Sequence, residues 1–204
     1  MIKVCILDYG SGNVRSVFNV IKHLGYDVEI SNSVSAIKNA SHLILPGVGS
    51  YVSAMNRIIK NIPLDCLENA VLIDGKPFLG ICVGMQVLSD CGNEFEKKDG
   101  LGWISGSVDI LKSENLPLPH VGWNNLDLKF KKPVTYGLKD NTDFYFLHSF
   151  CFKASNTDNV IATTSYGSNF ASIINKDNIF GFQFHPEKSQ RAGQLILKNF
   201  INWK

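Results

Sequence analysis

The sequence predicts an α/β fold with a mostly parallel central sheet, flanking helices and a smaller mixed or antiparallel sheet. Short apolar strand candidates alternate with helical patterns through the first ninety residues, which is typical of a parallel sheet covered on both faces. From about residue 100 the chain changes to short β-rich segments separated by turn residues. Because 204 residues suit one domain, we expect 1–204 to form a single domain.

The first half begins with a strand, a loop and a helix. Residues 2–7 are apolar and β-branched, as in a strand buried on both faces, and a turn cluster follows them. Apolar residues recur at helical spacing over 14–24, where Asn13 can cap the start and Gly25 suits the end. The same criteria predict strands at 28–30, 42–45 and 77–81, and helices at 33–40, 51–59, 64–74 and from 85 onward.

The second half is rich in strand signals and closes with a helix. Turn residues separate six strand candidates, at 103–111, 122–129, 144–152, 160–165, 170–174 and 179–184. Helical spacing then returns at the C-terminus, so we expect a final helix that packs on the sheet through Leu195, Ile196, Phe200 and Ile201.

Charge and cysteine content exclude several classes of function. A net charge of +2 lacks the clustered basic face that nucleic-acid binding requires. The five cysteines contain no CxxC pair, which fits reduced thiols in a cytosol. No apolar run approaches the ~18 residues of a membrane span, and none resembles a signal peptide. We expect a cytoplasmic protein without nucleic-acid or membrane partners, and no metal or cofactor is implied.

Cys82 lies at the centre of a GxCxG motif, the cysteine form of the nucleophile elbow, directly after the strand candidate at 77–81. Gly80 and Gly84 would allow the sharp strand-to-helix turn that holds the central residue in a strained conformation. A helix N-terminus beneath the sulfur would favour the thiolate. The alternative is a buried structural cysteine, because free cysteine is among the most buried residue types.

His185 and Glu187 end the last strand candidate, and their i, i+2 spacing directs both side chains to one side. A histidine that takes and returns a proton, oriented by a carboxylate, follows the logic of a catalytic triad. A capped strand end with a surface glutamate is the alternative.

Residues 46–49, PGVG, follow a third strand and are either an ordinary turn or a source of N–H groups for an oxyanion. Open α/β sheets place their sites at such strand ends.

Two sets of motifs carry a family resemblance. The first resembles class I, triad-type glutamine amidotransferases: GICVGMQ at 80–86, GFQFHPEKS at 181–189 and PGVG at 46–49. The second, over essentially the whole chain, resembles the glutaminase subunits of imidazole glycerol phosphate synthase: DYGSGNVRSV at 8–17, PHVGWN at 119–124 and YFLHSF at 145–150.

The resemblance implies a role for each residue of the site. Cys82 would be the nucleophile on the glutamine carboxamide, His185 the base and then the acid, and Glu187 the orienting carboxylate. An oxyanion hole would combine the Val83 N–H with a peptide around Gly47 and Val48; if this peptide has to turn inward, activity is coupled to a partner. The implied glutamine pocket comprises Gly49, Gln86, Glu94, Ser149 and Phe150.

The resemblance also implies a partner. Family members form a heterodimer with a (β/α)8-barrel cyclase, which receives the ammonia and makes imidazole glycerol phosphate and aminoimidazole carboxamide ribotide in histidine biosynthesis. Each residue of the implied contact face could instead be a core or solvated side chain. That face comprises Asn13, Arg15, Trp123, Asn124, His148 and Lys188.

Three other functions remain open at this point. A paralogue of the subunit could supply ammonia to a sugar-modifying enzyme of surface-glycan biosynthesis. A cysteine peptidase or γ-glutamyl hydrolase of the same fold would use the same three residues without a partner. A degenerate amidotransferase kept as a binding module usually has a broken triad, whereas all three triad residue types are present in this chain.

Overall fold

The computed structural model describes residues 2–10, 13–139 and 141–203. Within them the strands are β1 (Lys3–Ile6), β2 (Asp27–Ile30), β3 (His42–Gly47), β4 (Phe78–Cys82), β5 (Cys91–Gly92), β6 (Lys98–Asp99), β7 (Gly106–Ile110), β8 (His120–Asn125), β9 (Asp127–Leu128), β10 (Asp143–His148), β11 (Phe150–Ala154), β12 (Val160–Tyr166), β13 (Ser168–Lys176) and β14 (Ile179–Phe182). The α-helices are α1 (Val14–His23), α2 (Val34–Asn39), α3 (Tyr51–Asn61), α4 (Leu64–Glu68), α5 (Val83–Gln86) and α6 (Gln190–Ile201). A π-helical turn covers Asn69–Ile73, and 3-10 turns cover Pro133–Thr135, Thr157–Asn159 and Pro186–Lys188.

The central sheet has eight strands in the order β2-β1-β3-β4-β14-β13-β12-β9. The first five strands are parallel, and β13, β12 and β9 extend the sheet in antiparallel pairs. A separate four-stranded sheet, β11-β7-β5-β6, is mixed, and β8 pairs with β10 alone. The predicted α/β class, with a mostly parallel sheet and a smaller mixed sheet, is confirmed.

Two predicted strands were wrong in their extent. The candidate at 144–152 is two strands, because the chain leaves β10 at Ser149 and enters a different sheet as β11. The candidate at 122–129 likewise divides into β8 and β9, which belong to different sheets. Each candidate contains a polar pair at its break, His148–Ser149 in the first and Asn124–Asn125 in the second, which the prediction of one continuous strand overlooked. Much of the second half therefore joins the central sheet instead of forming its own.

Helix ends follow their sequence signals with one exception. The Ser33 hydroxyl caps α2 by accepting from the Ala36 N–H at 3.1 Å, and Gly25, with a φ of +86°, ends α1. Asn13 occupies the N-cap position of α1, but its side chain makes no cap hydrogen bond. The predicted helix at 64–74 is α4 followed by the π-helical turn.

A contiguous apolar core includes residues of both the central and the smaller sheet. Phe182 and Phe184, which follow one another along the end of β14, stack with their ring centroids 5.2 Å apart. None of the helices in the described part of the chain is long and apolar enough to cross a membrane.

Candidate active site

Three neighbouring strand ends meet at one edge of the central sheet. In the parallel ladder Gly47 of β3 pairs with Cys82 of β4, and Ile81 pairs with Phe182 of β14. Because all three strands run in the same direction, the PGVG segment, the GxCxG motif and the segment that begins at Gln183 leave the sheet side by side. The structure thus brings together the three segments that the sequence singled out.

Cys82 has the backbone of a nucleophile elbow. Its φ of 56° and ψ of −111° are rare for a residue with a side chain, and it joins β4 directly to α5. A Cβ atom on Gly80 would lie 2.3 Å from the Gly84 carbonyl oxygen, and one on Gly84 would lie 1.9 Å from the Leu45 carbonyl oxygen. Glycine is therefore required at both positions by the close approach of neighbouring backbone.

His185 and Glu187 form a buried pair beside the elbow. The His185 Nδ1–H donates to Glu187 Oε1 at 2.8 Å, and the two side chains are almost fully buried. The same carboxylate oxygen accepts from the Asn13 side-chain amide. Ser189 holds the segment in place, because its hydroxyl donates to the His185 carbonyl at 2.6 Å and accepts from the Tyr145 N–H at 3.0 Å.

The charges around His185 favour its protonated form. Burial alone would lower the pKa of His185, but its interactions with the Cys82 side chain and with the Glu187 carboxylate, hydrogen bonds included, outweigh burial and raise that pKa to about 10. His185 Nε2 is buried, and the Cys82 side chain is a hydrogen-bond partner of the imidazole. At neutral pH the imidazolium therefore holds a proton that it can give to a leaving group beside the sulfur.

A cavity of about 190 Å³ opens over Cys82. This volume is below the roughly 300–1,000 Å³ of pockets for drug-sized ligands, so it fits an amino-acid-sized molecule. All five residues of the implied glutamine pocket line it, as do Val48 and Val83, whereas Gly47 does not. The complete lining is Val48, Gly49, Cys82, Val83, Gln86, Glu94, Pro119, Leu147, His148, Ser149, Phe150 and His185.

Two segments of the cavity wall could provide oxyanion donors. Val83 is the first residue of α5, and the first N–H groups of a helix have no intrahelical acceptor. Gly47 lies in a tight space, because a Cβ atom there would be 2.6 Å from both the Gly84 nitrogen and the Tyr9 hydroxyl.

Glu94, which lines the cavity, also stabilises the start of α3. Its carboxylate accepts a hydrogen bond from the Tyr51 N–H at 2.7 Å.

A buried chain of hydrogen bonds supports the far wall of the cavity. The Phe150 carbonyl accepts from Gln86 Nε2 at 2.8 Å and from His148 Nδ1 at 2.9 Å. His148 Nε2 lies 3.4 Å from His120 Nδ1, and His120 Nε2 lies 3.4 Å from Asn124 Nδ2. The Phe150 carbonyl therefore holds both the Gln86 and the His148 side chains in place.

The residues of the implied partner face differ in their exposure. Trp123 is 48% exposed and contacts the ring of Tyr145, over which the Lys188 ammonium lies 5.5 Å from the centroid. Arg15 and Lys188 are exposed, whereas Asn13 and Asn124 are half-buried. His148 is only 6% exposed, so its assignment to a contact surface was wrong: its ring is enclosed by Phe146, Phe170 and His120.

Sequence reasoning missed three polar residues beside this site. Gln183, Ser189 and His120 are buried and hydrogen-bonded to site residues or their neighbours. For Gln183 the available signal was its position between Phe182 and Phe184, because a buried amide needs hydrogen-bond partners. Among the described residues, no three His, Cys, Asp or Glu side chains are grouped so that they could hold a metal ion.

Comparison with known proteins agrees with this geometry. The family model described as "Glutamine amidotransferase class-I" matches residues 5–203, so the chain belongs to the class I glutamine amidotransferase family. Among solved structures, PurLQS from Thermotoga maritima covers 98% of this chain and 98% of its own, with a TM-score of 0.74 and 19% identity. A putative GMP synthase component from Thermoplasma acidophilum has a TM-score of 0.73 and 21% identity, covering 98% of this chain and 92% of its own. At these identities the two structures establish the fold alone.

Curated relatives within that family are HisH subunits of imidazole glycerol phosphate synthase. "Imidazole glycerol phosphate synthase subunit HisH 2" of Vibrio vulnificus is 42% identical over 203 residues, covering 98% of this chain and 94% of the relative. The HisH subunit of Caldanaerobacter subterraneus is 44% identical over 96% of this chain and 95% of its own length. The HisH subunit of Pelagibacter ubique is 40% identical over 98% of this chain and 99% of its own length.

Proposed function

We propose that the chain hydrolyses L-glutamine to glutamate and ammonia as the glutaminase subunit of an imidazole glycerol phosphate synthase. The observation that carries this proposal is the position of Cys82, beside His185 and Glu187, in the wall of an amino-acid-sized cavity. The relatives named HisH support the assignment to histidine biosynthesis. We further propose that residues 1–204 act as one domain in the cytoplasm.

The first half of the reaction forms a thioester. The Cys82 thiolate attacks the carboxamide carbon of glutamine, and the negative charge moves to the carbonyl oxygen. The Val83 N–H and a peptide at Gly47 or Val48 stabilise that oxyanion. His185 gives its proton to the amide nitrogen, and the C–N bond breaks. Ammonia departs, and a γ-glutamyl thioester remains on the Cys82 sulfur.

The second half restores the enzyme. Neutral His185 takes a proton from water while the water oxygen attacks the thioester carbon. The C–S bond breaks, glutamate leaves, and the site returns to the thiolate and imidazolium pair. Glu187 orients the imidazole throughout, and Asn13 holds the carboxylate.

The partner would be a (β/α)8-barrel cyclase that binds the face containing Trp123, Arg15 and Lys188. This face lies next to the triad, because Lys188 follows Glu187 directly and its ammonium lies over Tyr145, which contacts Trp123. Ammonia released at His185 would then pass into the cyclase without crossing bulk water. The exposed cations favour an acidic complement on the partner.

Glutamate release by the chain alone, and then with a histidine-pathway barrel cyclase and its nucleotide substrate, tests this function. We expect slow turnover alone and at least about tenfold stimulation by the complete pair. Trp123→Ala should reduce the stimulation and leave basal turnover unchanged. Ile73→Ala is the matched control, because Ile73 is 77% exposed and precedes β4, at the opposite end of the strands from the site.

The other outcomes each contradict a defined part of the proposal. Stimulation only by a cyclase from a glycan gene cluster would contradict the pathway and retain the chemistry. Fast, partner-independent turnover would contradict the subunit role and favour a stand-alone hydrolase.

A further inference from the structure

Gln183 is a fully buried amide that the reaction steps above do not use. It follows β14 directly and precedes the Phe184–His185 segment of the site. Its Nε2 lies 3.8 Å from Cys82 Sγ, within the range of an N–H···S hydrogen bond, and its Oε1 lies 3.2 Å from Gln86 Nε2. The side chain thus connects the nucleophile to the wall of the glutamine cavity.

The orientation of this amide follows from its neighbours. The Phe150 carbonyl can only accept, so the Gln86 amide must direct its NH₂ group toward it. The second N–H of that group then donates to Gln183, which requires an oxygen on the near side of the Gln183 amide. Consequently the Gln183 nitrogen, with its two hydrogens, faces the Cys82 sulfur.

Neutral histidines support the same orientation. His148 must carry its proton on Nδ1 to donate to the Phe150 carbonyl, which leaves Nε2 to accept from His120. Burial lowers the pKa of His148 to about 3 and also lowers the pKa of His120, so both rings are neutral at physiological pH. The Phe150 carbonyl, which fixes the orientation of the Gln86 amide, therefore accepts hydrogen bonds from both Gln86 and His148.

The contacts of the sulfur distinguish its two protonation states. A thiol can donate to the Leu147 carbonyl, which lies 3.8 Å from Cys82 Sγ, whereas a thiolate can only accept. Gln183 is a fully buried side-chain donor directed at the sulfur, and it does not line the cavity. A hydrogen bond from Gln183 therefore favours the form of Cys82 that attacks the substrate.

We propose that Gln183 is a further catalytic residue, whose amide N–H stabilises the Cys82 thiolate and is held in its donating orientation by Gln86 and the Phe150 carbonyl. This inference rests on the proposed function, because a stabilised thiolate matters for a reaction in which sulfur is the nucleophile. It assigns a chemical role to the glutamine inside the FQFHPE segment.

The rate of alkylation of Cys82 by iodoacetamide, followed as a function of pH on the full chain, tests the proposal. Gln183→Met removes the donor without adding charge, and Gln183→Glu keeps an oxygen for Gln86 but removes the donor. Modification is quantified on the peptide that contains Cys82, because the chain has five cysteines. The titratable groups that line the cavity around the sulfur, His185, His148 and Glu94, are unchanged in both variants.

In both variants we expect the midpoint of the alkylation profile to move upward by about one pH unit, and the rate at pH values below that midpoint to fall about tenfold. Asn178→Asp is the matched control: the Asn178 amide donates to the Val71 and Lys76 carbonyls instead of to sulfur, and its variant should retain the original profile. An unchanged profile in folded Gln183→Met would overturn the proposal. A shift in Gln183→Glu alone would also overturn it, since charge repulsion would then explain the effect.

A second measurement covers variants that do not fold. In the unmodified chain, the side-chain NH₂ resonances of Gln183 should titrate with the alkylation midpoint of Cys82, and the titration should disappear in Cys82→Ala. Side-chain NH₂ resonances of Gln183 whose chemical shifts do not change as Cys82 titrates would contradict the proposal. Alkylation requires no glutamine, so it tests the Gln183 contact independently of glutaminase activity. A chain without glutaminase activity would contradict the proposed function alone.

Discussion

Cys82→Ala is expected to lower kcat for glutamate release by about four to six orders of magnitude, because Cys82 is the one thiol among the described residues that line the cavity. Cys82→Ser should be nearly as inactive, since a serine hydroxyl beside the His185 imidazole is not an ionised nucleophile. Both variants should fold, which circular dichroism and thermal unfolding can check. Retained turnover in either variant would contradict the assignment of the nucleophile.

Cys82→Gly separates the loss of chemistry from the loss of structure. The backbone of residue 82, with a φ of 56° and a ψ of −111°, is strained for any residue with a Cβ atom and relaxed for glycine. We therefore expect Cys82→Gly to be inactive but more stable than Cys82→Ala by about 1 kcal/mol. Equal or lower stability would argue that the elbow is not strained.

Gly84→Ala is expected to reduce the free energy of unfolding by about 3 kcal/mol and to remove activity. The added Cβ atom would lie 1.9 Å from the Leu45 carbonyl oxygen, so either α5 or β3 has to move. Both elements bear the site, because α5 begins at Val83 and β3 ends at Gly47. Denaturant unfolding monitored by fluorescence measures the change in stability.

Gly75→Ala is the matched control for the glycine prediction. Gly75 has a φ of +69° with open space around its α-carbon, so alanine adds conformational strain without a clash. Its cost should be about 1 kcal/mol, and activity should be retained. If the two alanine variants lost the same stability, the close approach of Gly84 to β3 would not be the cause.

Local patterns were sufficient to predict the parts of the fold that position the site. The apolar runs that became β3, β4 and β14 are each followed by a motif with glycine or proline, and open α/β sheets gather such ends at one edge. The strand-to-helix turn at Cys82 was also predictable from the local pattern, because Gly80 and Gly84 flank it and allow neighbouring backbone to approach closely.

Features that depend on long-range contact could not be predicted from the sequence. The break at Ser149 coincides with a polar pair, His148–Ser149, but the sequence does not show which sheet each of the two strands joins. Asn13 has the sequence signal of a helix cap, but a carboxylate 174 positions away, Glu187, competes for its amide. The family resemblance implied a contact role for His148, with a core position as the alternative, whereas three aromatic rings enclose its side chain.

The most direct test of the central claim is labelling of the chain with a diazoketone analogue of L-glutamine, followed by mass spectrometry. A site in which Cys82 attacks the glutamine side chain predicts a single adduct on the peptide containing Cys82. Excess L-glutamine should prevent the labelling, and Cys82→Ser should not be labelled. An adduct on another residue, or no adduct on the folded chain, would contradict the account.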